Sequence, residues 1–251
     1  MANEQLFTQR AQSYASGRMG YADRAIDQLF AGIVKPHDVI ADVGAGTGIF
    51  AKVFIERGYD TYCVEPNANM RRQAEAAFHG DPHFHSVAAP AEATTLPDHS
   101  IDLVTAASAF HWFDAVKFRA ECLRILKPQG IVFTILNCRD YNDPFTLRQH
   151  ELCEQYCLNF SSLRHGLDKS EEKLKTFLGA NLNRADFEYP LLYKKDQFVQ
   201  RSLSSSYAPA PDTAAYDQYA EALWALMDEF APDSGQITVP NVSVAHWGKL
   251  D

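Results

Sequence analysis

The sequence predicts an α/β protein in which a mostly parallel β-sheet carries helices on both faces and a helical lid covers the strand ends. Short apolar runs of strand length alternate with helical segments through the first half of the chain. Such alternation gives right-handed crossovers and a parallel sheet. A glycine-rich turn follows the apolar run Val39–Val43, and an acidic residue, Glu65, ends the next run. Ligands of such sheets bind at the carboxyl ends of the strands, so a ligand site is predicted there.

Five strands and four helices are predicted in the first half of the chain. They are helix Tyr21–Ile33, strand Val39–Val43, helix Gly48–Arg57, strand Asp60–Val64, helix Asn67–Phe78, strands Phe84–Val87 and Ile101–Ala106, helix Asp114–Leu126 and strand Ile131–Leu136. Asn67 and Asp114 are predicted N-caps, because their side chains accept hydrogen bonds from free amides of the first helical turn. The segment Lys127–Gly130 is predicted to be the turn before the fifth strand.

The second half has a less regular pattern. It predicts helices Asp143–Phe160 and Ser170–Leu178 with a loop at His165–Asp168 between them, a sheet strand Ala185–Tyr193, helix Thr213–Phe230 and a terminal strand region Gln236–Trp247. The predicted organisation is a single domain with N-terminal cap helices (1–35), a cofactor-binding core (36–137), a helical lid (138–182) and a C-terminal part that completes the sheet (183–251).

Composition limits the classes of function. The chain has 251 residues, of which 46% are hydrophobic, which is enough for a buried core. The net charge of −9 argues against a nucleic-acid surface. No apolar run approaches the roughly 20 residues that span a bilayer, so we expect a cytoplasmic protein without a membrane partner. Cys153 and Cys157 lie four positions apart, but no second pair lies near them, and no metal site is predicted.

The glycine turn lies within the sequence VIADVGAGTGIF, residues 39–50. Gly44, Gly46 and Gly48 alternate with other residues. Glycine accepts positive φ and lets a ligand approach the backbone closely, so a ligand could lie on main-chain N–H groups. The Glu65 carboxylate could accept hydrogen bonds from both hydroxyls of a ribose. These features predict a nucleoside cofactor; the alternative is a glycine-rich loop without a ligand.

The spacing of the glycines separates two kinds of cofactor. In the dinucleotide fingerprint the third small residue comes three positions after the second, and here Ile49 occupies that position. Asp42 adds a negative charge that would repel a pyrophosphate but suits an ammonium group. The segment Asp42–Gly48 resembles the motif D/E-x-G-x-G-x-G of class I S-adenosylmethionine-dependent methyltransferases, and LKPQG at 126–130 resembles their helix-to-strand turn.

This resemblance implies a Rossmann-like sheet of seven strands, in which the terminal segment lies antiparallel beside the fifth strand, and S-adenosyl-L-methionine as the cofactor. The cofactor-binding residues that it implies are Asp42, Gly44, Ala45, Gly46, Gly48, Glu65, Pro66, Ala91, Glu92, Ser108 and Arg18. The family's adenine loop usually has an acidic residue where this chain has Pro90. Glu92 therefore has an alternative role as an N-cap or a solvent-facing charge.

The loop after the fourth predicted strand contains three aromatic residues and a histidine. Its sequence His111-Trp112-Phe113-Asp114 resembles the type 11, or trans-aconitate methyltransferase-like, subgroup. His111 is the candidate catalytic base, and Trp112 is predicted to face the substrate. The N-terminal segment 14–21 resembles the cap of the same subgroup. Its residues Tyr14, Arg18 and Tyr21 would close over cofactor or acceptor, unless the segment is an ordinary amphipathic helix.

Arg139 and Tyr207 are further candidates for binding the acceptor. A sulfonium methyl group is already activated, so the protein must mainly align the reactants and exclude water. A carboxylate acceptor would need an Arg or Tyr clamp, whereas a hydroxyl or amine would need a base such as His111. No N-P-P-Y or D-P-P-Y sequence follows the fourth strand, which weakens the case for methylation of bases or protein amides.

The predicted function is methyl transfer from S-adenosylmethionine to a small molecule, with a carboxylate as one candidate acceptor, by a monomer or homodimer without a nucleic-acid partner. One alternative is a tRNA or protein methyltransferase. Another is a module that binds S-adenosylmethionine without catalysing a reaction.

Overall fold

A computed structural model describes residues 20–158, 160–163, 165–205 and 207–251. The chain forms two compact units. Unit 1 consists of the described residues up to 136, together with 166–187 and 243–251, and unit 2 consists of 137–165 and 188–242. The predicted site residues Tyr14 and Arg18, with most of the predicted N-terminal cap, lie outside the described residues.

The elements of unit 1 follow the predicted alternation. They are α1 (Asp23–Gly32), β1 (Ile40–Val43), α2 (Lys52–Ile55), β2 (Thr61–Val64), α3 (Ala68–Ala77), β3 (Phe84–Val87), β4 (Ile101–Ala107), a 3-10 turn (Phe110–Trp112), α4 (Ala115–Ile125), β5 (Leu126–Arg139), α6 (His165–Leu178), a 3-10 turn (Gly179–Asn181), β6 (Asn183–Glu188) and β9 (Asn241–Gly248). Four of them, β5, α6, β6 and β9, begin or end in unit 2. Helix α5 (Pro144–Tyr156), β7 (Leu191–Lys194), α7 (Lys195–Leu203), α8 (Ala214–Phe230) and β8 (Gln236–Val239) belong to unit 2.

Seven strands form the main sheet in the order β3-β2-β1-β4-β5-β9-β6. The pairs β1–β2, β1–β4, β2–β3 and β4–β5 are parallel. Every residue of β1 is buried, which is typical of a central parallel strand covered on both faces. The predicted fold class, a Rossmann-like and mostly parallel seven-stranded sheet, is confirmed. The terminal strand β9 lies between β5 and β6, as the resemblance implies for the last strand.

Both predicted N-caps are present. The Asn67 side chain accepts hydrogen bonds from the amides of Asn69 and Met70, at 2.9 and 3.2 Å. The Asp114 side chain accepts hydrogen bonds from the next helix in the same way, with both distances at 3.2 Å. These caps fix where α3 and α4 begin, at the carboxyl ends of β2 and β4.

Two predicted boundaries in unit 1 are wrong. The helix predicted over Gly48–Arg57 is reduced to α2, because the chain leaves the glycine turn through several tight i to i+3 hydrogen bonds. The predicted turn Lys127–Gly130 lies inside β5 as an irregularity. There the register passes from Ile101↔Leu126 to Leu103↔Ile131, and Gln129 has a positive φ of 75°.

The second half differs more from its prediction. The predicted loop His165–Asp168 forms the first turn of α6. The strand predicted over Ala185–Tyr193 is two strands, β6 in the main sheet and β7 in a separate two-stranded sheet with β8. Helix α6, predicted to be part of the lid, belongs to unit 1, and 188–242, predicted to complete the sheet, belong to unit 2. The lid itself stays a prediction.

Unit 2 has a core of its own. Helix α8 packs against α5 and α7, and side chains of the antiparallel strands β7 and β8 belong to the same buried cluster. The largest of these side chains are Phe198 and Tyr219, which are fully buried. Cys153 and Cys157 are buried free thiols here, and the Cys153 Sγ lies 3.4 Å from the Tyr219 hydroxyl. The two cysteines therefore serve as small core residues.

Candidate active site

The first glycine of the turn is required by packing. Gly44 has a φ of +70°, which L side chains rarely adopt. A Cβ at this position would lie 2.7 Å from the Ala109 Cβ and 3.1 Å from the Phe113 ring. Gly48 is similar, because its Cβ would lie 2.6 Å from the Phe78 ring. These two glycines let the turn contact side chains of the protein itself.

Gly46 is the glycine that faces open space. It has a φ of +59°, and a Cβ built there meets no atom within 4 Å. Of the three glycines, Gly46 is therefore the one whose α-carbon faces open space. Contact of Gly44 and Gly48 with a cofactor stays a prediction.

The amides of the turn are engaged within the protein. The N–H groups of Gly44 and Ala45 both donate to the Val64 carbonyl, at 2.8 and 3.1 Å, and the Gly48 N–H donates to the Ala45 carbonyl at 2.9 Å. Buried amides need such partners. A ligand is thus recognised here mainly by contact with Gly46 and by side chains beside the turn.

Glu65 is the main polar side chain beside Gly46. Its Oε2 accepts a hydrogen bond from the Gly46 N–H at 3.0 Å, and its Oε1 accepts one from the Asn67 N–H at 2.8 Å. The two amides therefore hold the carboxylate in one orientation. Carboxylate oxygens are the kind of acceptor to which a ribose diol would donate.

Asp42 lies on β1 and is buried. The Thr105 hydroxyl donates to its Oδ1 at 2.7 Å, whereas Oδ2 is buried without a hydrogen-bond partner among the described residues. Burial raises the pKa of Asp42 to about 7; the Thr105 hydroxyl and the Ala51 amide oppose this shift, and the charge of Glu65 adds to it. A cation beside Oδ2 would favour the ionised form.

These residues fit S-adenosylmethionine. Glu65 would hold the ribose diol, the Gly46 backbone would lie against the ligand, and the Asp42 oxygen without a partner would suit an ammonium group. A pyrophosphate would meet two acidic side chains in the same place. The chemistry of the residues therefore favours a cationic nucleoside over a dinucleotide.

The residues predicted to contact the adenine lie in the next loop. Ala91 is buried, and Pro66 is exposed at the end of β2. The Glu92 Oε1 accepts a hydrogen bond from the Asp114 N–H at 2.9 Å. Glu92 thus contacts the backbone of the residue that caps α4, and its contact with adenine stays a prediction.

A small cavity lies beyond the carboxyl end of β4. Its polar lining consists of Ser108, His111, Thr134, Ser170 and His246. Ser108 has a positive φ of 54°, and its hydroxyl lies 2.9 Å from the Tyr21 hydroxyl. The predicted residues Ser108, Tyr21 and His111 therefore come together in unit 1.

His111 lies in the 3-10 turn that follows β4. Its main-chain carbonyl and that of Phe113 accept hydrogen bonds from the Lys173 Nζ, at 3.2 and 2.9 Å. Gly166 lies beside the imidazole, because a Cβ there would be in ordinary van der Waals contact with its Nδ1 and Cε1 atoms, at 3.5 Å. Trp112 stacks at an angle beside His111, with 4.8 Å between ring centroids, and its side chain is 49% exposed.

His246 is a lining residue that sequence reasoning missed. It lies on β9 and is buried. Burial lowers its pKa to about 4, and the positive charge of Arg184 lowers it further, against the opposing charge of Asp186. The cavity therefore contains a neutral imidazole at neutral pH. A lone histidine in an apolar terminal strand carries no motif that would have revealed this role.

The remaining predicted acceptor residues, Arg139 and Tyr207, lie in unit 2. The Arg139 Nη1 donates to the Asn241 Oδ1 at 2.9 Å. Burial raises the pKa of Tyr207 to about 12, although the nearby Arg139 charge lowers it. The two side chains thus belong to one electrostatic environment within unit 2.

The fold and this site define a class I S-adenosylmethionine-dependent methyltransferase domain. Residues 41–134 match the family described as "Methyltransferase domain". The chain is 34% identical over 152 residues to the uncharacterized methyltransferase GK2543 of Geobacillus kaustophilus, covering 54% of this chain and 67% of that protein. The chain therefore belongs to this methyltransferase family, and S-adenosylmethionine is the cofactor of the class.

A second relative is also named as a methyltransferase, and a solved structure shares the fold. The chain is 34% identical over 128 residues to the uncharacterized methyltransferase Rv3342 of Mycobacterium tuberculosis, covering 51% of this chain and 50% of that protein. A type II methyltransferase structure from Anaeromyxobacter dehalogenans shares the fold with a TM-score of 0.69 at 21% identity, covering 92% and 97% of the two chains. The chain thus spans about half the length of several curated relatives that it matches.

A more distant structure has ligands bound. A Haemonchus contortus N-methyltransferase in complex with phosphomonomethylethanolamine and S-adenosylhomocysteine shares the fold with a TM-score of 0.51 at 18% identity, covering 90% of this chain and 52% of that one. Within the described part of this chain, the helices are all too short or too polar to cross a bilayer.

Proposed function

We propose that this chain transfers the methyl group of S-adenosylmethionine to a small molecule and that the favoured acceptor is a carboxylate. The observation that carries the proposal is the pre-oriented Glu65 carboxylate beside the open backbone of Gly46. The similarity of 111–114 to the trans-aconitate methyltransferase-like subgroup supports a small acidic acceptor.

Bound S-adenosylmethionine supplies an activated methyl group. Glu65 would hold the ribose, and Asp42 would hold the ammonium group. The protein then has to align an acceptor and exclude water, and such alignment lowers a barrier by about 7–11 kcal/mol. A carboxylate acceptor needs no proton removal. For a hydroxyl or amine, His111 would accept the proton inside the cavity lined by Ser108 and His246.

The net charge of −9 argues for a small molecule over tRNA as the acceptor. The same proposal includes that the protein acts in the cytoplasm as a monomer or homodimer.

Calorimetry with S-adenosylmethionine, S-adenosylhomocysteine and NAD tests the cofactor. We expect both sulfur nucleosides to bind and NAD not to bind. Glu65→Gln is expected to weaken this binding by about tenfold or more, because it removes charged hydrogen bonds. Glu56→Gln is the matched control, since Glu56 is exposed and pairs only with Lys52 among the described residues. Tight NAD binding, or equal affinities for the two variants, would overturn the cofactor site.

Transfer of a labelled methyl group onto a metabolite extract tests the reaction. Label in an organic acid would support the proposal. Label in RNA or protein alone would show a different acceptor class. Tight cofactor binding without any transfer would identify a cofactor-binding module that does not catalyse a reaction. His111→Ala should leave cofactor affinity unchanged, and its turnover separates acceptors that need a base from carboxylates that do not.

A further inference from the structure

Unit 2 contains an arginine without an acidic partner. Arg139 lies at the end of β5, where its Nη1 donates to the neutral amide of Asn241 at 2.9 Å. Its guanidinium group lies over the Phe198 ring, 5.9 Å from the ring centre. Among the described residues, no carboxylate forms an ion pair with it. Arg139 is partly buried, and cations removed from water are normally paired, so this arrangement calls for an explanation.

A second arginine belongs to the same cluster. The Tyr193 and Phe198 rings are 6.0 Å apart, and the Arg201 guanidinium lies 5.7 Å from the centre of the Tyr193 ring. Burial lowers the pKa of Arg139, and the positive charge of Arg201 lowers it further; Tyr193 and Tyr207 act in the opposite direction. Two guanidinium groups therefore repel each other around one aromatic core.

The Tyr193 hydroxyl is the second unsatisfied group of this cluster. The Tyr193 side chain is 8% exposed, and its hydroxyl has no hydrogen-bond partner among the described residues. A buried polar group without a partner costs about 1–3 kcal/mol. Arg139 and Tyr193 both lie against the Phe198 ring, at 5.9 and 6.0 Å from its centre, so the two groups belong to one cluster.

One kind of ligand would satisfy both groups. An anion beside Arg139 would neutralise the repulsion from Arg201 and accept a hydrogen bond from the Tyr193 hydroxyl. A carboxylate matches the planar fork of a guanidinium group and has a further lone pair for a phenol.

We propose that Arg139, Tyr193 and Arg201 form a binding site for the carboxylate group of a small organic acid within unit 2. Arg139 donates to the carboxylate, Tyr193 donates its hydroxyl hydrogen, and Arg201 adds positive charge. Asn241 fixes the orientation of the Arg139 guanidinium group. Identifying the bound acid as the methyl acceptor rests on the proposed function, whereas the binding of the acid does not.

The test is a calorimetric titration of the full chain with succinate at constant ionic strength and without cofactor. Dimethyl succinate, which has no charge, and inorganic sulfate are the comparison ligands. The variants are Arg139→Met and Tyr193→Phe. Arg148→Met is the matched control, because Arg148 lies in unit 2 but is exposed and pairs with Glu151 at 2.7 Å.

Saturable binding of succinate, but not of its diester or of sulfate, is expected for the wild type. Arg139→Met should weaken it by at least about tenfold, and Tyr193→Phe by about threefold to tenfold, whereas Arg148→Met should change it less than twofold. The Tyr193→Phe result decides the matter if the Arg139 variant does not fold, since it removes a single oxygen atom. Absence of succinate binding, equal losses in the two arginine variants, or preference for sulfate would overturn the proposal.

These outcomes are independent of the proposed function. If the wild-type protein binds succinate but transfers no methyl group, only the enzyme assignment is refuted. Intact methyl transfer without succinate binding would refute this site alone.

Discussion

The two units of this protein build their candidate sites in different ways. In unit 1 the site consists of a backbone turn and two acidic side chains from adjacent strands, between Asp42 and Glu65 in the chain. In unit 2 the cluster combines side chains from β5, β7 and α7, which are distant in sequence. The family match, 41–134, lies entirely within unit 1. A site made from the backbone thus leaves a local signature, and a site made from scattered side chains does not.

The largest expected effect is a difference in stability between alanine variants of two glycines in unit 1. Gly44→Ala should lower the free energy of unfolding by about 3 kcal/mol, because its Cβ would overlap Ala109 and require a positive φ. Gly46→Ala should lower it by only about 1 kcal/mol, since only the backbone conformation is strained. Urea unfolding of both variants measures this.

Cofactor affinity completes the comparison of the glycines. A methyl group on residue 46 would enter the ligand space, so Gly46→Ala should weaken cofactor binding while remaining folded. Equal stabilities of the two variants would contradict the distinction between a packing glycine and a ligand-facing glycine.

The second-largest expected effect is the contribution of His246 to the pH dependence of stability. Its pKa is about 4 in the folded protein against an ordinary value of 6.5, so the unfolded state binds a proton first and the stability due to His246 is lost as pH falls from 6.5 to 4. The difference in unfolding free energy between wild type and His246→Gln should fall by about 3 kcal/mol over that range.

The wild type and the His246 variant must be compared because Asp42 changes the stability with pH in the opposite direction to His246. Its pKa is raised to about 7, so the folded state holds more protons between pH 4 and 7, and stability falls as pH rises through that window. Asp42 contributes equally to both proteins and cancels in the difference. A difference that does not vary with pH would show that His246 is not buried in neutral form.

Asp42 should make cofactor binding depend on pH. Below pH 7 its carboxyl is protonated in the free protein and offers no charge to an ammonium group. We expect the affinity for S-adenosylmethionine to fall by up to about tenfold per pH unit below 7. Asp42→Asn should bind more weakly at pH 7.5 and lack this dependence between pH 5.5 and 7. Parallel pH profiles of the two proteins would remove Asp42 from the site.

The smallest expected effect is the loss of a helix cap, which should be equal in the two units. Asp114 caps α4 in unit 1, and Asp143 caps α5 in unit 2 by accepting a hydrogen bond from the Thr146 amide at 3.0 Å. Asp114→Ala and Asp143→Ala should each lower the free energy of unfolding by about 1 kcal/mol. Thermal unfolding of both variants checks that helix capping is local and independent of either site. A loss far above this in one variant would indicate a further role for that residue.

The sequence predicted the main sheet and the glycine turn well because both depend on local patterns. Apolar runs such as β1 and caps such as Asn67 are determined within a few residues. The role of each glycine was not predictable, because the distance from Gly44 to Ala109 depends on strand β4 and the loop after it. His246 was missed for the same reason, since its environment comes from tertiary packing.

The second half was predicted less well for a related reason. Strands β6 and β7 follow each other closely, and nothing in their alternating pattern shows that they join different sheets. The loop predicted at His165 became helical because tertiary packing overrides weak local preferences. Arg139 and Tyr207 were identified as candidates, but Tyr193 and Arg201 were not, since their proximity requires the folded unit.

The most direct test of the central claim is a crystal structure of the protein with S-adenosylhomocysteine. We expect the ribose hydroxyls to bind the Glu65 carboxylate, the ligand to lie against the Gly46 backbone, and its ammonium group to approach Asp42. An empty turn in crystals that hold the ligand elsewhere, or a ribose held by other residues, would contradict it.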